Sequence, residues 1–114
     1  MSVQIRKTDK ATILDLEGPL KLGETEQSFR DSVRALLESG TRNVAINLSG
    51  VPMMDSSGVG ALVRAFSSVK RGGGRCKVFG VRKQVMQLLK MVCLDRVLDL
   101  VEDEDSALSS FEAR

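Results

Sequence analysis

The pattern of hydrophobic and polar positions predicts that the chain begins with a β-hairpin. Apolar residues alternate with polar ones over residues 3–7, and an apolar run resumes at residues 11–16. The turn-forming residues 8–10 separate these two runs. Gly18-Pro19 is expected to end the second strand, because proline lacks the N–H that a sheet ladder needs and glycine permits a bend. Two antiparallel strands are therefore predicted first.

Apolar residues at helical spacing then mark a first helix, which begins near residue 23 or 24. Thr25 is a candidate N-cap, since threonine side chains accept hydrogen bonds from the N–H groups of a first helical turn. Ser39-Gly40 is expected to end the helix, because glycine is common just past a helix C-terminus. The packing face is formed by four residues: Phe29, Val33, Leu36 and Leu37.

The rest of the chain alternates strands with helices. Strands are predicted at residues 43–48 and 75–79, and a final edge strand at residues 96–101. Helices are predicted from the 54–60 segment to about residue 71, along the apolar stripe of residues 81–92, and from the acidic residues 102–105 onward. This order predicts an α/β fold, with a single mixed, mostly parallel sheet and about four helices. Residues 1–114 are expected to form a single domain.

The segment Met54-Asp55-Ser56-Ser57-Gly58-Val59-Gly60 lies where the strand at residues 43–48 leads into a helix. In open α/β sheets, ligands and partners usually meet the protein at this carboxyl edge. Two interpretations remain open from these residues alone. In the first, Asp55 or a serine acts only as an N-cap, and the glycines allow close packing. In the second, a serine hydroxyl at the helix start is phosphorylated.

The absence of histidine excludes several kinds of catalytic and metal site. No Ser-His-Asp or Cys-His arrangement can be built, and histidine-ligated metals are excluded. Cys76 and Cys93 are the two cysteines, and their spacing is not that of a CxxC motif. Both are expected to be reduced and buried. We therefore expect no catalytic residues, and neither a metal nor a cofactor is predicted.

Charge and hydropathy further limit the choice of partners. The net charge of +2 is too small to indicate a nucleic-acid partner. The local basic cluster of Lys70, Arg71, Arg75 and Lys77 flanks the Gly72–Gly74 turn. A phosphate loop leads from a strand to a helix, whereas this turn leads from a helix to a strand, so it is not predicted to hold a phosphate. No apolar run is long enough to span a bilayer, and the N-terminus lacks a signal-peptide pattern. A cytoplasmic location without membrane or nucleic-acid binding is expected.

Asn47-Leu48, followed by the 54–62 segment that ends in Ala61-Leu62, resembles the signature of STAS-domain anti-sigma factor antagonists. This group includes the sporulation and general-stress antagonists of Bacillus, and the similarity covers nearly the whole chain. The resemblance implies that Ser56 is phosphorylated by an anti-sigma factor that is also an ATP-dependent serine kinase. A PP2C-type phosphatase would restore the unphosphorylated form, which binds the anti-sigma factor and frees a sigma factor. The resemblance thus implies a binding module rather than an enzyme.

The expected partner surface combines the motif residues with exposed apolar side chains, and consists of Met53, Met54, Asp55, Ser56, Ser57 and Gly58. Methionine suits adaptable interfaces, although filling of the core is an equally good interpretation of Met53 and Met54. After the second strand the family often has Gly-Glu-Leu-Asp, whereas this chain has Gly18-Pro19-Leu20-Lys21. If that loop lies beside the motif, Lys21 is a candidate partner for Asp55 or for a phosphate on Ser56.

Two alternative functions are compatible with the same residues. The first is a STAS accessory subunit of an ABC-type lipid-transport complex, which would bind an ATPase partner. The second is a small nucleotide-binding module, for which the glycines and the basic cluster are the only indications.

Overall fold

The computed structural model of the protein describes residues 2–112, and its sheet has five strands in the order β1-β2-β3-β4-β5. β1 pairs with β2 in an antiparallel sense, and each later pair of neighbours is parallel. The predicted hairpin and the mixed, mostly parallel sheet are confirmed. The strands are β1 Ser2–Lys7, β2 Thr12–Glu17, β3 Asn43–Gly50, β4 Arg75–Phe79 and β5 Leu100–Val101.

Four α-helices follow the predicted order within the described residues. A short 3₁₀ helix at Leu94–Arg96 separates the third helix from β5. The helices are α1 Glu24–Glu38, α2 Ser56–Arg71, α3 Lys83–Met91 and α4 Glu104–Glu112.

One face of the sheet carries the larger hydrophobic core, which α1, α2 and α3 cover. On β3, Val44, Ile46 and Leu48 point into this core, while Ala45 packs on the opposite face. This follows from the strand period of two residues, which sends alternate side chains to opposite faces. The helices contribute buried residues at helical spacing, among them Phe29, Val33, Leu62, Val69, Val85 and Leu89.

The opposite face of the sheet is covered in part by α4. Ala107 and Phe111 of this helix pack against Ile13, Ala45 and Phe79 in a second, smaller core. The acidic start of α4 agrees with the prediction, because carboxylates are favoured near the positive end of a helix dipole. The motif at the start of α2 therefore belongs to the helical layer on the other face.

The start of α1 differs from the prediction. Gly23 is the N-cap residue, at a φ of 110°, and no side chain caps the helix. The hydroxyl of Thr25 instead bonds to the backbone of Lys21, accepting from its N–H at 2.9 Å and donating to its carbonyl at 2.6 Å. Thr25 thus closes the turn that precedes the helix.

The predicted edge strand at residues 96–101 is wrong except for its last two residues. The chain forms the 3₁₀ turn at Leu94–Arg96, where the N–H of Leu98 donates to the carbonyl of Leu94 at 2.9 Å. Leu98 is buried in the larger core, whereas Val97 is 55% exposed. The alternation of apolar residues in this segment comes from a turn that buries one leucine, and not from a strand.

Two further expectations near the end of α3 are wrong. α3 ends at Met91, so Val92 lies beyond the helix and is exposed rather than part of a packing stripe. Cys93 is exposed, with a left-handed φ of 61°, whereas Cys76 is buried as predicted. Only one of the two cysteines therefore belongs to the core.

Candidate functional site

The motif lies directly against the loop that joins β2 to α1. Leu20 forms a parallel bridge with Met54, and its N–H donates to the carbonyl of Met53 at 3.1 Å. The N–H of Asp55 donates in turn to the carbonyl of Leu20 at 3.3 Å. The loop at residues 18–22, where the sequence departs from the family pattern, is therefore a direct neighbour of the motif.

Asp55 joins this loop to the start of α2. Its Oδ1 accepts a hydrogen bond from the N–H of Gly58 at 2.9 Å, which makes Asp55 the N-cap of the helix. Its Oδ2 accepts from the N–H of Leu22 at 3.0 Å. These hydrogen bonds, from Leu22 first and Gly58 second, lower the pKa of Asp55 below its ordinary value because they favour the charged form. The N-cap interpretation is thus right for Asp55.

Gly58 allows α2 to approach the loop closely. A β-carbon at this position would lie 2.1 Å from the carbonyl oxygen of Leu20, so no other residue fits without a backbone shift. Gly60 has no such role, because a β-carbon there would meet only the side chain of Arg64, at 3.3 Å from Nη1. The prediction that both glycines serve close packing holds for Gly58 alone.

The two serines of the motif differ in exposure. Ser56 is the first residue of α2 and is exposed, while Ser57 is half-buried. Within residues 2–112, the Ser56 hydroxyl makes no hydrogen bond. Ser56 therefore combines an accessible, uncommitted hydroxyl with a position at a helix start, where unpaired N–H groups favour an anion.

The two methionines beside the motif have different surroundings. Met53 is 46% exposed, whereas Met54 is 7% exposed and belongs to the larger core. Of the two interpretations that the sequence left open, filling of the core is right for Met54, which bridges to Leu20, and exposure is right for Met53. Leu22, which the sequence did not single out, is 74% exposed and is tied to the motif by its bond to Asp55. We call Leu22, Met53 and Ser56 the motif surface.

Lys21 does not form the expected ion pair with the motif. Among the ion pairs of residues 2–112, none joins Lys21 to Asp55. Arg64 instead extends over Gly60, within one helical turn of the motif, and its Nη2 lies 3.9 Å from a carboxylate oxygen of Glu26. Sequence reasoning missed Arg64, although its spacing of eight residues from Ser56 places both on one side of a helix.

The residues of the local basic cluster contact different parts of the fold, and Nη2 of the exposed Arg71 donates to the hydroxyl of Ser68 at 3.3 Å. Lys77 pairs with Asp99, and the Lys70 ammonium lies 5.4 Å from the centre of the Phe66 ring. Arg75 donates to backbone carbonyls at the end of α4, including that of Ser110. In the part of the chain that the structure describes, no cluster of three or more potential ligands could hold a metal ion.

The fold and the site define a small α/β domain with an exposed serine at a strand-to-helix junction. A family model described as the STAS domain matches residues 2–107, so the chain belongs to the STAS domain family. This confirms the resemblance recognised in the sequence. None of the helices described here is sufficiently long and apolar to cross a membrane.

Two curated relatives show which STAS proteins this chain is similar to. An anti-sigma F factor antagonist of Paenibacillus polymyxa is 26% identical over 95 residues, which cover 79% of this chain and 81% of the relative. An anti-sigma-B factor antagonist of Bacillus subtilis (strain 168) is 24% identical over 100 residues, covering 88% of this chain and 90% of the relative. Both relatives are matched over most of their own length.

Solved structures confirm the fold. A crystal structure of a Thermotoga maritima protein has a TM-score of 0.88 at 23% identity, covering 96% of this chain and 94% of that one. The Bacillus protein SpoIIAA, an anti-sigma factor antagonist, has a TM-score of 0.76 in its unphosphorylated form and 0.74 in its phosphorylated form. Both forms are 16% identical, and both comparisons cover 99% of this chain and 100% of SpoIIAA.

Proposed function

We propose that this protein is an anti-sigma factor antagonist whose binding is controlled by phosphorylation of Ser56. In the unphosphorylated form it binds an anti-sigma factor that is also a serine kinase, and a sigma factor is thereby released. A PP2C-type phosphatase reverses the modification. The protein itself is the substrate and the binding module in this cycle, and it acts in the cytoplasm.

One observation carries the proposal, namely the exposed and unbonded hydroxyl of Ser56 at the start of α2. A kinase needs such a hydroxyl to be free, and the half-buried Ser57 is less accessible. The family membership and the two curated relatives, both named as anti-sigma factor antagonists, support the choice of partner.

The motif surface has the composition of a docking site. The exposed side chains of Leu22 and Met53 supply apolar area, and the small Ser56 hydroxyl lets a partner approach the start of α2. Asp55 keeps this surface in place, since it bonds to the backbone of both Leu22 and Gly58. The partner-binding residues proposed are the motif surface of Leu22, Met53 and Ser56 together with the half-buried Ser57. Asp55, Gly58 and the buried Met54 shape this surface.

Phosphorylation would change this surface mainly through charge. A phosphate adds about −1.5 to −2 charges at neutral pH beside the existing Asp55 carboxylate. A partner that docks on the neutral serine then meets like-charge repulsion, and it must also desolvate a heavily hydrated group. No rearrangement of the fold is required, because the charge appears on an exposed residue of the docking surface.

The proposal is tested by incubating the protein with ATP and its cognate anti-sigma factor. Mass spectrometry is expected to find phosphate on Ser56, and Ser56→Ala to remain unmodified. In titration calorimetry, Ser56→Asp is expected to weaken the complex by about 100-fold or more, because an uncompensated like charge in an interface costs several kcal/mol.

Ser109→Asp is the matched control, since it adds the same charge to an exposed residue of α4 on the other side of the sheet. We expect this variant to bind as wild type does. If Ser56→Asp binds the anti-sigma factor as tightly as wild type, the switch mechanism is wrong.

A further inference from the structure

Arg64 is a cation of α2 whose side chain extends back toward the start of the helix. Its Nη1 lies 3.3 Å from the position that a β-carbon would take at Gly60, which is four residues earlier. Side chains in helices tilt toward the N-terminus, so this direction is the natural one for arginine. Gly60 has no side chain, and the guanidinium therefore covers the end of the motif at Gly60.

Ser56 lies one further turn toward the helix start. Residues four apart have β-carbons about 5–6 Å from each other, so the guanidinium over Gly60 is about one turn from the Ser56 side chain. A phosphate extends the serine side chain and adds three acceptor oxygens. A planar guanidinium can donate two parallel hydrogen bonds to such a group. The distance that remains is within the adjustment of two exposed side chains.

Arg64 is free to move toward a phosphate, because its present ion pair is weak. Its Nη2 is 3.9 Å from Oε1 of Glu26, and its side chain is 59% exposed. Glu26 has a closer partner in Arg30, whose Nε lies 2.7 Å from Oε2. Departure of Arg64 would therefore leave the mostly buried Glu26 carboxylate paired.

We propose that Arg64 holds the phosphate of phosphorylated Ser56, with Gly60 providing the open path between them. The inference rests on the proposed function for the existence of the phosphate, and it adds the cation that receives it. Arg64 exchanges a loose contact with Glu26 for charge-assisted hydrogen bonds to the phosphate. The phosphate then lies along α2 and covers the docking side of the helix start, which reinforces the loss of partner binding.

The test uses the full chain with phosphoserine inserted at position 56 during translation, so that no kinase or partner is needed. The second pKa of the phosphate is measured by ³¹P NMR titration at low ionic strength in the wild-type background and in Arg64→Gln. A nearby cation favours the dianion, so this pKa is expected to be lower in the presence of Arg64 by about half a pH unit, as for an exposed ion pair. The difference is expected to disappear in about 1 M salt, where the Debye length is about 3 Å.

Arg34→Gln is the matched control, because it removes the same charge from an exposed arginine of the neighbouring helix α1. We expect it to leave the phosphate pKa unchanged. An equal pKa in the wild-type background and in Arg64→Gln overturns the inference, and so does an equal shift in Arg34→Gln, which would indicate net charge rather than contact. A different result would contradict the proposed function, namely the absence of a complex between the unphosphorylated protein and the anti-sigma factor.

Discussion

Gly58 and Gly60 are two residues apart on α2, yet the space around them differs. Gly58 faces the loop after β2, where a β-carbon would come within 2.1 Å of a backbone oxygen of Leu20. Gly60 faces the flexible end of Arg64, which can move aside. At the scale of single residues, the site therefore depends on one glycine for its closest contact.

The first expected outcome concerns Gly58→Ala. The added methyl group has no room against the Leu20 carbonyl, so α2 and the loop must separate. We expect the free energy of unfolding to fall by about 2–3 kcal/mol, as in other overpacked sites. Urea denaturation followed by circular dichroism measures this change. The same separation would loosen the bond between Leu22 and Asp55, so binding of the anti-sigma factor is expected to weaken as well.

Gly60→Ala makes the same chemical change in the same helix and is the control. Here alanine is expected to stabilise the protein by about 0.5–1 kcal/mol, because glycine is unfavourable inside a helix. If both substitutions change the free energy of unfolding equally, the close contact with Leu20 is not the reason for glycine at position 58.

At the scale of elements, Arg6 connects three parts of the fold. It lies on the exposed edge strand β1, and its guanidinium bonds to Asp15 of β2 and to Glu104 of α4. The distances from Nη2 are 2.9 Å to Asp15 and 2.7 Å to Glu104. Asp15 also accepts from the side chain of Asn47 at 2.7 Å. Arg6 thus links β1 and α4 to Asp15 of β2, which in turn is bonded to Asn47 of β3.

Arg6→Gln is expected to lower the free energy of unfolding by about 1 kcal/mol at neutral pH, the upper end for ion pairs with an exposed partner. The Arg6 guanidinium is the main cause that lowers the pKa of Asp15 below its ordinary value of 3.8. A lowered folded-state pKa stabilises the fold above the unfolded-state value, and this stabilisation is lost as the pH falls through the folded-state value. The difference between wild type and Arg6→Gln should therefore shrink below about pH 4, as measured by urea denaturation across pH.

Arg34→Gln serves as the comparison for this element-scale effect, since Arg34 is 67% exposed and its ion pair with Asp31 spans 4.0 Å. We expect little change in stability and no acid dependence from it. If Arg6→Gln lowers the free energy of unfolding by the same amount in acid as at neutral pH, the ion pair with Asp15 is not the cause of the loss.

At the scale of the whole molecule, the two thiols report on how the fold opens. Cys76 lies in the larger core, and burial raises the pKa of its thiol to about 12. Cys93 is exposed between α3 and the 3₁₀ turn. The thiolate is the reactive form, and burial both disfavours the thiolate and blocks the reagent. Cys76 can therefore react only when the core opens.

We expect a thiol reagent such as Ellman's reagent to titrate one cysteine rapidly in the native protein and two in denaturant. The second thiol should react at a rate that follows global unfolding, because Cys76 belongs to a central strand. Cys93→Ser should remove the rapid phase and keep the slow one. Two rapid thiols in the native protein would contradict the placement of Cys76 in the core.

The order of elements was predictable because it depends on local patterns. Helical and strand periodicities predicted the sheet, the four helices and the position of the motif at the end of β3. The pattern misled at residues 96–101, where alternation arose from a turn that buries Leu98. It also misled at Thr25, whose hydroxyl bonds backward to Lys21 rather than to the helix. Short segments without a sustained period are where local patterns carry least information.

The sequence by itself determined the family, the element order and the choice of Ser56 as the expected phosphorylation site. Only the tertiary structure decided what surrounds that serine. The contact between Leu22 and Asp55 joins residues 33 positions apart, and it depends on how closely α2 approaches the loop at Gly58. The same packing turns Met54 inward and leaves Met53 outside. Such choices depend on three-dimensional proximity, which periodicity along the chain does not encode.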